Sequence, residues 1–446
     1  MIRDMTSGNT AKHLIHFSIP FVLGNMLQLT YNAVDSIIIG RFAGKDALAA
    51  VGTSTPIINI LILGISGICI GASVLMSELF GAGNEKELKK AVSTTLLFGG
   101  VFSIFIMMLG LIFAPGLLRL LGVPQEIMHS STLFLRISLT ATPFIYWYNA
   151  VSAAMRSVGD SKTPIRFLAI ASVLNACLDL LFVAVLDWGV AGAALGTNIA
   201  EACSAIFCMV YIYRKVPLLR LGKADFRFDR SMLDRILRHG SVTALQQSAQ
   251  PIGKLIIQGV VNPLGVDAIA AFNAVNRVDD FAFTPQQSIS HGMMTFVAQN
   301  RGAKKKDRVL SGLKVGLKLE FCYWILIGVL AFSLKEPIMR LFVKAEDVST
   351  IQLGVDYLKW MALFYLFPAF TNGIQGFFRG MGNMKITLLS TLIQITTRVI
   401  FVLILVPHVG LNGTAYANAI GWTLMLAYEV PYYFRFKKRH TLLQGG

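Results

Sequence analysis

The sequence predicts an all-α membrane protein: twelve transmembrane helices in two six-helix lobes related as a parallel repeat. Three observations carry that prediction. Of the 446 residues, 54% are hydrophobic and 14% charged, with a mean hydropathy of +0.62, well beyond the roughly half-apolar content of soluble domains. Apolar stretches of the ~20 residues that a helical span needs recur along the whole chain. The second half also repeats the first at a nearly fixed interval.

Charged or Gly/Pro-rich punctuation cuts the first half into spans at 14–39, 52–77, 93–114, 131–155, 165–186 and 190–213. The second half follows with spans at 232–261, 266–298, 312–334, 350–378, 385–406 and 411–434. The lobes are therefore 1–213 and 232–446, joined by a linker over 214–231. No small-residue cleavage site follows the first span, which reads as a retained helix rather than a signal peptide.

The 40 Lys+Arg against 24 Asp+Glu give a net charge of +16, which in a soluble protein would suggest nucleic acid. Here the basic residues crowd alternate loops: Lys86, Lys89 and Lys90, the 214–238 connection, and the run Lys304, Lys305, Lys306. The opposite loops hold Arg41, Lys45, Arg119, Lys335, Arg340 and Lys344. Positive charge thus orients the chain in its membrane with both termini cytoplasmic, and nucleic acid is not a partner.

The repeat is visible residue by residue. Gly44-Lys-Asp-Ala-Leu-Ala-Ala50 returns about 221 residues later as Gly265-Val-Asp-Ala-Ile-Ala-Ala271, Phe80-Gly81-Ala82 as Arg301-Gly302-Ala303, and Gly189-Val-Ala-Gly192 as Gly410-Leu-Asn-Gly413. Six helices per half insert both halves the same way round, an arrangement suited to alternating access.

No HExxH, GxSxG or P-loop is present, so the common hydrolase and nucleotidase chemistries have no signal and the chain is not read as an enzyme. Cys69, Cys177, Cys203, Cys208 and Cys322 lack metal-ligand spacing and read as core filler.

An ionisable side chain within a span costs ~2.5–3.5 kcal/mol and is a functional candidate by default. Asp35 follows a polar stripe of Gln28, Tyr31 and Asn32 at helical spacing. Asn175 and Asp179 share a face one turn apart on the fifth span. Counted from the short connection at Asp187–Gly189, Thr197 descends to the level of Asp179, and Glu201 lies one turn deeper. Two carboxylates in a poorly hydrated place either share a proton or hold a cation, and the carboxylate, amide and hydroxyl oxygens of Asp35, Asn175, Asp179 and Thr197 suit Na+ or H+.

The second half carries instead Gln250 and Lys254, with Arg277, Asp279 and Asp280; Arg277–Asp280 reads as an ion pair, and Lys254 as a cavity residue or a partner of those acids. Arg398 reads as an anchor. Prolines 20, 56, 143, 285 and 368 permit kinks, and Pro285 in an overlong span is the hinge candidate.

These pieces together resemble the multidrug and toxic compound extrusion family over nearly the whole chain. The resemblance rests on Asp35, the tract Pro56 to Gly83 ending Glu78-Leu-Phe-Gly-Ala-Gly, Arg156-Ser-Val-Gly-Asp160, Asn175 with Asp179, and Phe296-Val-Ala-Gln-Asn-Arg-Gly-Ala303. It implies two lobes forming a V and export of organic, often cationic, amphipathic compounds against inward Na+ or H+. It further implies coupling at Asp35, Asn175, Asp179 and Thr197, and a cavity lined by Gln28, Tyr31 and Asn149. The amides and Lys254 of the seventh span depart from the NorM-like branch and look closer to the DinF-like or MepA-like branch.

The expected partners are small-molecule substrates and the lipid bilayer, with no cofactor and a monomeric chain. The rival within the superfamily is a flippase for a lipid-linked saccharide or lipid. An intramembrane aspartyl protease would want a GxGD context that Asp35 and Asp179 lack.

Overall fold

The computed structural model describes residues 2–344 and 346–442; the end of the predicted second lobe, 443–446, lies outside the described residues. All regular secondary structure among the described residues is helical. In the first half, α1 (Thr10–Ile38) leads through a π-helical turn, Ile39–Ala43, into α2 (Gly44–Gly81), α3 (Glu85–Leu120), α4 (Gln125–Leu139) and α5 (Thr142–Ser157). Then come α6 (Lys162–Asp179), a second π-helical turn at Leu180–Val185, and α7 (Gly189–Lys215). The second half holds α8 (Arg230–Val261), α9 (Val266–Gly302), α10 (Lys306–Ser333), the short α11 (Lys335–Phe342), α12 (Val348–Phe364), α13 (Leu366–Gly380), α14 (Met384–Val409) and α15 (Asn412–Leu442).

Twelve spans result once α4 is joined to α5 and α12 to α13 and the eight-residue α11, too short to cross a bilayer, is set aside. Both breaks fall at the same place relative to a proline. A proline ring collides with the carbonyl four residues earlier. Pro143 and Pro368 point at Leu139 and Phe364, where α4 and α12 end. Pro20, Pro56 and Pro285 stay inside continuous α1, α2 and α9.

Seven of the spans lie in the six stretches that are long and apolar enough to cross a membrane on composition alone. The helices α8, α9 and α15 have the length, at 32, 37 and 31 residues, but carry internal polar groups such as Gln246, Asp279 and Glu429. A polar residue turned into the protein costs the bilayer nothing, so composition underrates such helices.

The chain forms two compact units: Met1–Ser7 with Ile19–Ser248 and Ala298–Lys305, and Gly8–Ser18 with Ala249–Val297 and Lys306–Gly446. In the first unit, Leu75, Met76, Leu88, Met155 and Ile236 form a core, and α2 crosses α8 at close range. A Cβ on Gly67 would meet the backbone of Ala244 and one on Gly71 that of Gly240, so small residues four apart let two backbones touch. The repeated turns also meet there reciprocally: a Cβ on Gly81 would overlap the Gln299 carbonyl, and one on Gly302 the Glu78 carbonyl. Arg301 bridges to Glu78 beside them. The connection before α8 is strapped to α3, with Arg227 N–H donating to Ser93 Oγ at 3.1 Å and Asp229 N–H to Thr94 Oγ1 at 3.2 Å. The core of the second unit gathers Tyr357, Tyr365, Met361 and Phe272.

The five cysteines correct one expectation. Cys69 and Cys208 are buried as core filler, but Cys177 and Cys322 are exposed. Apolar periodicity within a span does not separate a side chain facing protein from one facing lipid, since both environments accept it.

Candidate functional site

Helices α6 and α7 form a tight antiparallel pair. Asp187 and Gly189 take left-handed φ of 54° and 53°, and Trp188 N–H donates to the Phe182 carbonyl at 2.9 Å, reversing the chain where the sequence places the turn. The reversal brings Asn175 and Asp179 of α6 level with Thr197 of α7. Asn175 and Asp179 are 1% and 0% exposed, and Thr197 and Asp35 are half-buried.

Asn175 organises the cluster. With its oxygen accepting from Thr197 N–H at 2.9 Å, its amide nitrogen donates to Asp179 Oδ2 at 3.0 Å and to the Tyr31 hydroxyl at 2.6 Å. The opposite amide orientation would face oxygen to acceptors and nitrogen to donors. Tyr31 also hydrogen-bonds the Thr197 side chain. Asp35, one turn beyond Tyr31 on α1, is in hydrogen-bonding contact with Asp179, and its Oδ1 is buried. Glu201 is within electrostatic range of Tyr31 and Tyr148.

Two backbone features, unread in the sequence, shape this cluster. Gly196 lets α7 approach α6 so closely that a Cβ there would stand 2.5 Å from Asp179 Oδ1; the small-residue spacing Gly192–Gly196 was the available signal. Both π turns directly follow the segments bearing the acids, one beginning at Ile39 and the other at Leu180, the kind of helix irregularity that favours functional places. Nothing in residue type marks a π turn.

The remaining predicted residues stand apart from this hydrogen-bonded group. Gln28 and Asn32 are exposed on α1, and Asn149 donates to Ile145 O of its own helix at 2.8 Å. Gln250 and Lys254 belong to the second unit and are exposed, whereas Pro285 is buried within α9. In that unit the partner of Asp280 is Lys254, at 3.2 Å, in place of the expected Arg277. Arg277, three residues before Asp280, is exposed. Tyr365 Oη donates to Asp279 Oδ1 at 2.6 Å, and Arg398 lies within electrostatic range of Asp279 and Tyr357. Sequence reasoning missed two fully buried acids, Glu320 on α10 and Glu429 on α15. Each is a lone acid in an apolar run, which was the signal for both.

Among the described residues no group of three or more His, Cys, Asp or Glu has metal-binding geometry; the site is an oxygen cluster of mixed chemistry. The sequence model of the MatE family matches this chain twice, over residues 20–181 and 243–404, once in each half. The chain belongs to the MatE family. That double match is the repeat read from the sequence, and it makes the chain a non-enzymatic membrane transporter.

Two curated MatE relatives are from Bacillus subtilis. The probable multidrug resistance protein YoeA is 31% identical over 338 residues, covering 74% of this chain and 73% of its own. The probable multidrug resistance protein YpnP is 30% identical over 395 residues, covering 88% and 87%. A crystal structure of MATE in complex with MaL6 superposes with a TM-score of 0.91 at 22% identity, over 99% of both chains. At that identity it shows the fold alone.

Proposed function

We propose that this MatE protein is a secondary active exporter of small amphipathic organic compounds, driven by inward movement of protons through the Asp35–Asp179 pair. The observation that carries the reading is the contact between those two carboxyls. Two carboxylates at hydrogen-bonding distance in a membrane interior do not both stay ionised cheaply, so the pair holds one proton, or a cation between its oxygens. Asn175 donates to Asp179 Oδ2, which favours the ionised state once the proton leaves, and Tyr31 and Thr197 hold the Asn175 amide in that orientation. Loading and emptying this cluster alternates its charge, and a change of charge is what a conformational equilibrium needs in order to be biased by an ion gradient.

The substrate class follows from the relatives named as probable multidrug resistance proteins. Gln28, Asn32, Asn149 and Glu201 supply polar contacts on the first-half side and Gln250 and Lys254 on the second, with lobes 1–213 and 232–446 about the linker 214–231 and Pro285 as hinge. The chain acts as a cofactor-free monomer by alternating access in a bacterial cytoplasmic membrane, both termini cytoplasmic.

The test is drug transport in proteoliposomes under an imposed proton or sodium gradient, comparing the native chain with Asp35→Asn and Asp179→Asn. A proton gradient should drive uphill transport by the native chain and neither variant should sustain it. Uphill transport by both variants would sink the coupling role. A response to sodium alone would reassign the ion, and transfer of lipid-linked sugar without any drug transport would favour a flippase.

A further inference from the structure

Helices α10 and α12, joined through α11, enclose a groove of about 320 Å³ lined by Trp324, Ile325, Val329, Phe332, Trp360 and Leu363 among others. It lies within the second unit, in residues the coupling cluster does not use. The register of its two walls is fixed at Gly328, whose Cβ would stand 3.2 Å from the Ala362 carbonyl. The absence of a side chain there opens the groove. One turn closer to α11, the antiparallel walls carry Phe332 on α10 and Lys359 on α12.

Two cations therefore mark the same end. Lys335 donates from Nζ to the Phe332 carbonyl at 3.0 Å and lies 4.4 Å from the Phe332 ring centroid. Lys359 Nζ lies 5.7 Å from the Trp360 ring centroid, on an exposed side chain that itself lines the groove. Neither ammonium is paired with a carboxylate among the described residues. Trp324 lines the other end, and its Nε1–H is buried without an acceptor and turned toward Gly328, 3.5 Å from the Cβ position. An apolar trough with cations at its mouth and an unused N–H donor further in has the polarity of a phospholipid: anionic head, ester carbonyl, acyl chain.

We propose that this groove is a binding site for one anionic phospholipid, with its phosphate against Lys335 and Lys359 and one acyl chain along Val329, Ile325 and Leu363. The choice of an anionic lipid follows from charge: two ammonium groups without carboxylate partners favour a headgroup of net negative charge over a zwitterion.

The test uses the full chain with Trp147, Trp188 and Trp422 replaced by Phe, leaving Trp324 and Trp360 as reporters, in phosphatidylcholine vesicles containing acyl-brominated phosphatidylglycerol or phosphatidylcholine. Brominated phosphatidylglycerol should quench with a relative binding constant roughly thirtyfold higher, given the attraction of about two basic residues. The preference should fall in Lys335→Gln and in Lys359→Gln and vanish in the double variant, whose fold is checked by an unchanged thermal midpoint. Equal quenching by the two lipids, or a preference surviving in the double variant, would overturn the proposal. So would loss of lipid quenching on adding a transported drug, which would make the groove part of the solute path.

Discussion

The α-carbon of Gly196 sits against the carboxylate of Asp179: a methyl group built there would be 2.5 Å from Asp179 Oδ1 and 3.5 Å from the Asn175 side-chain amide. Gly196→Ala must therefore move the Asp179 carboxylate or part α6 from α7. Uphill drug transport in proteoliposomes should fall by at least ~tenfold, the kinetic equivalent of about 1.4 kcal/mol. Gly52→Ala is the control, since nothing lies within 4 Å of its Cβ. Transport there should be unchanged and the thermal midpoint equal or higher, because alanine gains up to about 1 kcal/mol over glycine in a helix.

Tyr31→Phe keeps the ring and removes the hydroxyl that receives the Asn175 amide at 2.6 Å. A buried donor without an acceptor costs ~1–3 kcal/mol, and the ionised state of the pair loses an organising contact. The pH at which transport is half-maximal should shift relative to the native chain, while KM for the drug should change little. An unaltered pH profile would separate Tyr31 from the coupling cluster.

The polar contacts of the second unit should differ in worth. The Lys254–Asp280 pair has side chains 57% and 36% exposed, and exposed pairs contribute ~0–1 kcal/mol, so Lys254→Gln should leave detergent stability nearly unchanged. Tyr365 and Asp279 are 0% and 6% exposed. Tyr365→Phe strands a buried carboxyl and should cost ~1–3 kcal/mol, read as a drop in thermal midpoint well beyond that of Lys254→Gln.

Pro143→Ala and Pro368→Ala each restore an amide N–H and remove the ring that collides with the carbonyl of Leu139 or Phe364. Hydrogen exchange at residues 140–144 or 365–369 should slow as α4 merges with α5, or α12 with α13. Unchanged exchange would assign the breaks to tertiary packing.

Outside the spans, Asp225 accepts from Gly222 N–H at 2.9 Å and faces Lys89 at 3.5 Å. That backbone hydrogen bond first, and then the Lys89 charge, hold its carboxyl below the usual range. A carboxyl lowered in the folded state contributes stability above its unfolded value of ~3.9, and loses it as pH falls through the lower folded value. Amide protection over 222–229 should therefore persist at neutral pH and weaken only in acid below about pH 4. In Asp225→Asn it should be weaker at neutral pH and nearly independent of pH.

The helices were legible because the bilayer imposes length and apolarity on every span: the expected 93–114 and 385–406 both lie inside single helices, α3 and α14. Asn175, Asp179 and Thr197 could be grouped from the turn at Asp187 and the helical rise, and Asp35 from its place near the outer end of the first span at Gly40. What stayed hidden depends on approach distances and facing. Gly196 matters through the side chain it lacks, Cys177 and Cys322 look the same toward lipid as toward protein, and Asp280 had two cations within reach of a sequence argument. The choice of Lys254 over Arg277 was made by helix packing, which residue order does not encode locally.

The reciprocal meeting of the repeated turns has a bearing on ancestry. Glu78 and Gly81 occupy the places in the first half that Gln299 and Gly302 occupy in the second, and Gly81 abuts Gln299 as Gly302 abuts Glu78. Self-complementary contact of this kind, in which each patch grips its own counterpart, is the signature of two-fold association between identical subunits. It is what a half-length progenitor would have formed by pairing with itself before duplication and fusion made the two copies one molecule, free thereafter to diverge into an acid pair on one side and a lysine on the other.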